Sequence, residues 1–473
     1  MDNRLRPRYH FTPPANWMND PNGLIHWQGV YHLFYQHNPE LPLWGLMHWG
    51  HATSTDLVHW SHQPIALVPD PDGPDRDGCF SGVAVNTGDG VALMYTGVQG
   101  EKQLPCLAKN ADDDLTAWVK YPGNPVISAP PEGIETTMYR DHSVWKEGDT
   151  WFQVVGSGIA GKGGAAMLYR SPDLIEWEFL HPLLVEQPEV IAPEWRTLGW
   201  ECPDFVALGD RHVLMVSLWG LELSGIGYYA GTYAHHHFTP DQYGLVDGGR
   251  SFYAPQSFTD ASGRRIMFGW LRETCSDARL LERGWAGAMS LPRVLGMHED
   301  GSLKQTIASE VKALRGRQIH LDWTAVDWFR DIDLRGIPGN QLEIEAEFTP
   351  GDDTLLAFSF CGVDDDSERT VISVTARDSE FRLDTSLSSH DPDATGADDR
   401  MSVTLDPGAP VRLHIFVDVS IIEVILNDRY CLTARIYPVN NDDLRLHISS
   451  TVDGTIDIWE MAPSVHPSPV AAG

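Results

Sequence analysis

One pentapeptide pattern returns along the first part of the chain and limits what it can fold into more than any other feature. Asp56-Leu57-Val58-His59-Trp60 comes back as Asp114-Leu115-Thr116-Ala117-Trp118 and as Asp173-Leu174-Ile175-Glu176-Trp177. The spacings are 58 residues (114 − 56) and 59 residues (173 − 114). A fixed period marks a fold assembled from repeated units. A second series runs ahead of the first: apolar runs at Val30–Tyr35, Val91–Tyr95, Trp151–Val155, Val213–Val216 and Ile266–Trp270. Each follows a turn residue, namely Gly29, Gly90, Asp149, Asp210 and Gly263. These runs read as the second strands of five hairpins. Helical periodicity is nearly absent over this part of the chain. Strand-rich units at a period near 60 read as β-propeller blades of about four strands each.

The repeat stops after Leu291-Pro292-Arg293. With 473 residues and 52.7 kDa the chain is too long for one ordinary core, so two domains are expected. From about Gln341 the pattern alternates strictly, as in Leu342-Glu343-Ile344-Glu345-Ala346-Glu347-Phe348, the signature of a half-buried strand. Further strands fit 355–361, 370–375, 381–385, 411–417, 421–426, 444–449 and 455–459, separated by acidic turns. This part reads as an antiparallel β-sandwich. The expected division is a propeller over 1–300, a connector over 301–335, a sandwich over 336–463 and a tail over 464–473.

Composition removes several classes of function. A formal net charge of -32 disfavours nucleic acid, whose phosphates need basic patches. The first residues lack the apolar core of a signal peptide, and no long uncharged apolar run suggests a membrane span, so a cytoplasmic setting is expected. The six cysteines form no C-x-x-C pair, which argues against a zinc site or redox dithiol; reduced thiols are expected. No cofactor and no metal is implied. The 17 Trp residues tilt the reading towards a carbohydrate partner, since indoles make flat platforms for sugar faces.

On composition alone Asn19-Asp20-Pro21-Asn22-Gly23 is a turn. Its place in the repeat changes that reading. The first strands of the five hairpins open on Asn19-Asp20, Phe80-Ser81-Gly82, Arg140-Asp141, Glu201-Cys202-Pro203-Asp204 and Tyr253-Ala254-Pro255-Gln256. The intervals 81 − 20 = 61, 141 − 81 = 60 and 201 − 141 = 60 put Asp20, Ser81, Asp141 and Glu201 in register. Equivalent positions in a closed ring meet at one end of the central channel. Three carboxyls gathered there cannot all ionise freely, so one should be held protonated. Such a set suits metal binding by hard oxygen ligands or glycoside hydrolysis, where one carboxylate attacks and another gives a proton. Arg140 beside Asp141 argues against a bare calcium cage. A tryptophan-rich rim (Trp17, Trp44, Trp49, Trp200 and Trp270) argues for a sugar.

The chain resembles glycoside hydrolase family 32, the invertase and β-fructofuranosidase family. The matching pieces are Trp17–Gly23, Tyr35–Pro39, Trp49–His51, Phe80–Gly82, Arg140-Asp141, Trp200–Asp204, Phe252–Gln256 and Ser290–Arg293, with Ile415–Asp418 and Glu423-Val424 in the second domain. The resemblance implies an all-β chain, a five-bladed β-propeller followed by a β-sandwich, and a retaining double displacement. It implies Asp20 as nucleophile, Glu201 as general acid/base and Asp141 as transition-state stabiliser. Asn19, Gln36, Trp44, Ser81 and Arg140 match the pocket around the fructosyl ring, and the same motifs place Trp49, Phe80, Tyr253 and Trp270 at the substrate. Sucrose is the first expected donor. Transfer to another sugar, exo-cleavage of levan or inulin, and action on sucrose 6-phosphate stay open, as does a non-catalytic carbohydrate-binding protein on the same scaffold. The family's third motif usually ends in Pro where this chain has His142, and its sandwich signature usually has Arg-Ser where this chain has Val419-Ser420.

Three other features read as structural. The acidic loop Asp70–Gly78 lacks the ligand order of a calcium loop and reads as solvated. His235-His236-His237 has no H-E-x-x-H companion. Cys202 reads as packing beside Glu201, because a cysteine nucleophile would need a histidine partner.

Overall fold

The computed structural model describes residues 3–186, 196–220, 223–362, 367–406, 408–439 and 444–464. Apart from one short helix, Asp277–Arg283, and a 3-10 turn at Ser309–Leu314, its regular elements are strands. Five sheets follow one another along the first domain, each built on four antiparallel strands in simple meander order. Their first strands are Asn16–Trp27, Cys79–Asn86, Thr136–Glu147, Gly199–Leu208 and Phe252–Thr259. These touch in cyclic order and the fifth meets the first, which closes a five-bladed ring. Closure is fastened by Trp285-Ala286, which pair in parallel with Asn16-Trp17.

The repeated pentapeptide is the turn between the third and fourth strands of three blades. Leu57, Leu115 and Leu174 all sit in the left-handed region, at φ 67°, 56° and 69°. Two devices hold each leucine there. The Trp60, Trp118 and Trp177 indoles donate to the carbonyls of Leu57, Leu115 and Leu174 at 3.0–3.1 Å. The Asp56 and Asp173 carboxylates accept two backbone amides each across the turn, an Asx arrangement. In the second copy the aspartate two residues earlier, Asp112, takes that part by accepting from Thr116. His235 and His236 form the corresponding tight turn of the fourth blade, both with positive φ.

The structure corrects two expected boundaries. Leu303–Ile307 pairs with Arg293–Met297 as the outer strand of the fifth blade, so the propeller runs beyond residue 300. Arg315–Trp323 and Val326–Ile332, expected as connector, are strands that join opposite sheets of the second domain. The outer face of Arg315–Trp323 is polar, which weakens the alternation a sequence reading depends on. The second domain is two six-stranded sheets with a core of Ile344, Phe358, Phe381, Ile415, Val424 and Ile458 between them. Of the expected tail only Ser464 is described; its amide donates to the Arg8 carbonyl. The rest lies outside the described residues.

A buried polar cluster joins the domains. Arg293, fully buried, donates to Glu423 at 2.6 Å, Asp247 at 2.9 Å and Thr433 at 2.9 Å. His10 bridges Asp418 and Glu423 at 2.8 and 3.0 Å. The Arg8, Tyr9 and His10 amides all donate to the Asp418 carboxylate. Burial alone would raise Glu423, but Arg293 and His10 bring it down to about 2. The acidic residues of the sandwich signature, Asp418 and Glu423, thus grip the propeller and take no part in the channel.

Candidate active site

In all five blades the ladder between first and second strands breaks at the same level. The irregularities fall at Met18/Pro21, Phe80/Gly82, Arg140/His142, Glu201/Asp204 and Tyr253/Gln256. Each is a bulge, and a bulge bends its strand and re-aims the side chains beside it. Asn19-Asp20-Pro21-Asn22-Gly23 is therefore no turn. It lies inside a continuous strand with two such irregularities. Gly23 is needed at the second, with φ 52° and Phe34 and Trp49 crowding where a Cβ would stand.

At the bulges of the last three blades Asp141, Cys202 and Ala254 adopt φ 63°, 45° and 47°. Non-glycine residues held there cost on the order of 1–3 kcal/mol each and cluster at functional sites. The shared conformation sets the true equivalence. Cys202, not Glu201, corresponds to Asp141, and Glu201 corresponds to Arg140 and Tyr253. Arg140 and Tyr253 both donate to Glu201. Arg140 donates through Nε and Nη2 to Glu201 Oε1, at 3.0 and 2.6 Å. The Tyr253 hydroxyl donates to Oε2 at 2.8 Å. Arg140 spends Nη1 on Gln103 at 3.0 Å, and its guanidinium lies 5.4 Å from the Trp219 ring centre.

Asp20 and Asp141 form the other half of the site. Asp20 accepts from Ser81 Oγ at 2.6 Å and from Asn19 Nδ2 at 3.0 Å. Asp141 accepts the Cys202 amide at 2.9 Å. The Cys202 thiol lies 3.5 Å from Asp141 Oδ2 and 3.6 Å from Asp20 Oδ2, linking the two carboxyls. Burial and those carboxyls push the thiol far up, so it stays protonated and donates. Burial also raises Asp20, against the pull of Ser81 and Asn19. Asp141 is raised to about 7 by burial and by Glu201 and Asp20, with Arg140 opposing.

A threonine beneath the site ties blade two to blade three. Thr96 Oγ1 donates to the Ser81 carbonyl at 3.1 Å and accepts the Asp141 amide at 3.0 Å. With its single proton so used, it takes His142 Nε2, 3.3 Å away, as a second donor. Burial lowers His142 to about 4, so the ring is neutral.

The cavity above these groups holds about 560 Å³ and is lined by Asn19, Asp20, Gln36, Trp44, Phe80, Ser81, Arg140, Asp141, Glu201, Tyr253 and Trp270 together with Asp77, Val98, Gly100 and Gln103. Of the residues expected to touch or act on substrate only Trp49 is absent from this lining, and of the expected tryptophan rim Trp17 and Trp200 are absent too. The Trp49 indole is fully buried, stands on the third strand of its blade away from the channel, and donates to the Phe80 carbonyl at 3.1 Å. Trp200 is likewise core, and Trp17 packs edge-on against Trp270 instead of lining the cavity. Of the expected rim, exposed Trp44 and the face of Trp270 remain. Sequence reasoning missed Asp77 and Gln103. Asp77 belongs to the acidic loop read as solvated, and Gln103 follows a turn with no distinguishing pattern.

Known proteins share the sequence and fold of this chain. Residues 10–306 match the profile described as "Glycosyl hydrolases family 32 N-terminal domain", and residues 310–460 match "Glycosyl hydrolases family 32 C terminal". A sucrose-6-phosphate hydrolase of Escherichia coli is 35% identical over 95% of this chain and 93% of its own length. A raffinose invertase of Escherichia coli is 34% identical over 92% and 90%. Among solved structures, fructan 1-exohydrolase IIa of Cichorium intybus superposes with a TM-score of 0.88 at 29% identity, covering 98% of this chain and 99% of that one.

Proposed function

The chain belongs to glycoside hydrolase family 32 and is a glycoside hydrolase, and from that premise we propose that it releases terminal β-D-fructofuranosyl units by a retaining double displacement, with sucrose as the first donor. The observation that carries the reading is the gathering in one cavity of two bonded pairs, Glu201 with Arg140 and Asp20 with Asp141 through the Cys202 thiol. Two carboxyls in separate environments are what such chemistry requires.

In this reading the Asp20 carboxylate attacks the anomeric carbon of the fructosyl ring. The Ser81 and Asn19 donors support its charged form and aim it. As the glycosidic bond breaks, Glu201 gives its proton to the leaving oxygen and a fructosyl ester forms on Asp20. Glu201 then takes a proton from water, which attacks the ester, frees fructose and restores both carboxyls. Arg140 and Tyr253 keep Glu201 in place through this cycle. Asp141, anchored by the Cys202 amide, faces the ring hydroxyls. A pure carbohydrate-binding role is disfavoured by the pair of Asp20 and Glu201, which binding alone does not need.

The test is sugar release from sucrose, 1-kestose, levan and inulin. Asp20→Ala, Asp141→Ala and Glu201→Ala should each lower turnover by orders of magnitude with the fold intact. Glu201→Gln should recover part of its first step on a fructosyl donor whose leaving group needs no proton, and Asp20→Asn should not. Absence of release from all four sugars would refute the reading.

A further inference from the structure

The comparisons leave the charge of the donor open, since some relatives are named for a phosphorylated sugar and others for uncharged ones. The cavity itself bears on this. Among the described residues its lining carries four acidic side chains, Asp20, Asp77, Asp141 and Glu201, and a single cation, Arg140. Arg140 has Nε and Nη2 on Glu201 and Nη1 on Gln103. Three of its five N–H groups are thus committed inside the site, so a phosphate entering here would meet one partly engaged guanidinium against four acids. Arg272 offers no easy substitute. It lies over the Tyr253 ring at 5.0 Å, with Nε and Nη2 donating to the Arg250 carbonyl.

Asp77 is the acid that the fructosyl chemistry does not use. Its carboxylate is half-exposed, 48% against complete burial of the Asp75 carboxylate in the same loop, so it stands where the cavity opens to solvent. It is also held in place. The Gly100 amide donates to Oδ2 at 2.7 Å, and the Asp77 amide donates to the Val98 carbonyl at 3.0 Å. Val98 and Gly100 line the same cavity. Arg76 approaches that oxygen at 3.4 Å, but both partners are half in solvent, where such a pair is weak and screened.

We infer that Asp77 is a specificity-determining residue: a fixed negative charge at the cavity mouth that disfavours fructosyl donors carrying a phosphate and makes uncharged saccharides the substrate class. The inference rests on the fructosidase reading and refines it. A phosphate carries about −1.5 to −2 charges near neutral pH. Its repulsion by a mouth carboxylate falls on encounter and binding and is cut by salt.

The experiment compares kcat/KM for sucrose and sucrose 6-phosphate, at low and high ionic strength, in the wild type and in Asp77→Asn and Asp77→Lys. Asparagine keeps an acceptor for the Gly100 amide and removes only the charge. The expected result is a preference for sucrose of about 10-fold or more at low salt. That preference should shrink several-fold in Asp77→Asn, shrink further in Asp77→Lys, and narrow in the wild type as salt rises. Equal or better use of sucrose 6-phosphate by the wild type would overturn the inference while leaving the fructosidase reading intact. So would a donor ratio that neither variant moves. No release from either donor or from 1-kestose would overturn the fructosidase reading instead.

Discussion

Asp141 should make the folded protein less stable wherever it is charged, and Asp141→Asn isolates that cost. The carboxyl is 3% exposed and is raised from 3.8 to about 7 by burial and by Glu201 and Asp20. A carboxyl that holds its proton more tightly folded than unfolded favours the fold while protonated. That contribution is complete below pH 3.8, drains away between 3.8 and about 7, and is absent above. Three pKa units at about 1.4 kcal/mol each amount to roughly 4 kcal/mol as an upper limit. Asparagine imitates the neutral acid and keeps an oxygen for the Cys202 amide. The variant should therefore match the wild type near pH 4, gain about 2 kcal/mol near pH 5.5, and gain up to about 4 kcal/mol at pH 8. Its activity should fall by orders of magnitude throughout. Urea unfolding of both proteins at those pH values gives the difference directly, because groups common to both cancel. A stability difference that is flat with pH, or a variant weaker than the wild type at pH 8, would refute the argument.

Thr96→Val should leave the Asp141 amide and His142 Nε2 without an acceptor and the Ser81 carbonyl without a donor. A loss of about 2–4 kcal/mol in stability should accompany a fall in kcat of at least about 10-fold, and Thr96→Ser should restore most of both. Arg293→Met strands Glu423 and Asp247 in the domain interface and should cost about 3–5 kcal/mol in thermal or urea unfolding; adding Glu423→Gln should recover part of it.

The period near 60, the five hairpins and the alternating strands of the second domain could be read because each is a local pattern. The slip at Glu201 has a physical cause. A sequence interval counts residues but does not show which one is extra, and the fourth blade carries both Cys202 and Pro203 at its bulge. Cys202 reads as packing from sequence because no histidine accompanies it, although its thiol touches two carboxyls. Trp49 failed for another reason. Its motif is genuine, but its indole turns into the blade interior, where it packs with Phe34 and Tyr95. Asp77 was hidden because composition cannot distinguish a solvated acidic loop from one folded over a cavity. The edge strand Arg315–Trp323 is hidden by its polar outward face.

The bulge shared by all five blades also decides when the site comes into being. Its side chains come from chain segments about 60 residues apart, and the first and fifth blades meet only when the circle shuts. Such long-range pairings form slowly and late. No single blade contains both Asp20 and Glu201 with their partners. During refolding, strand content should therefore recover before catalysis does, and the lag between them would time the closing of the ring.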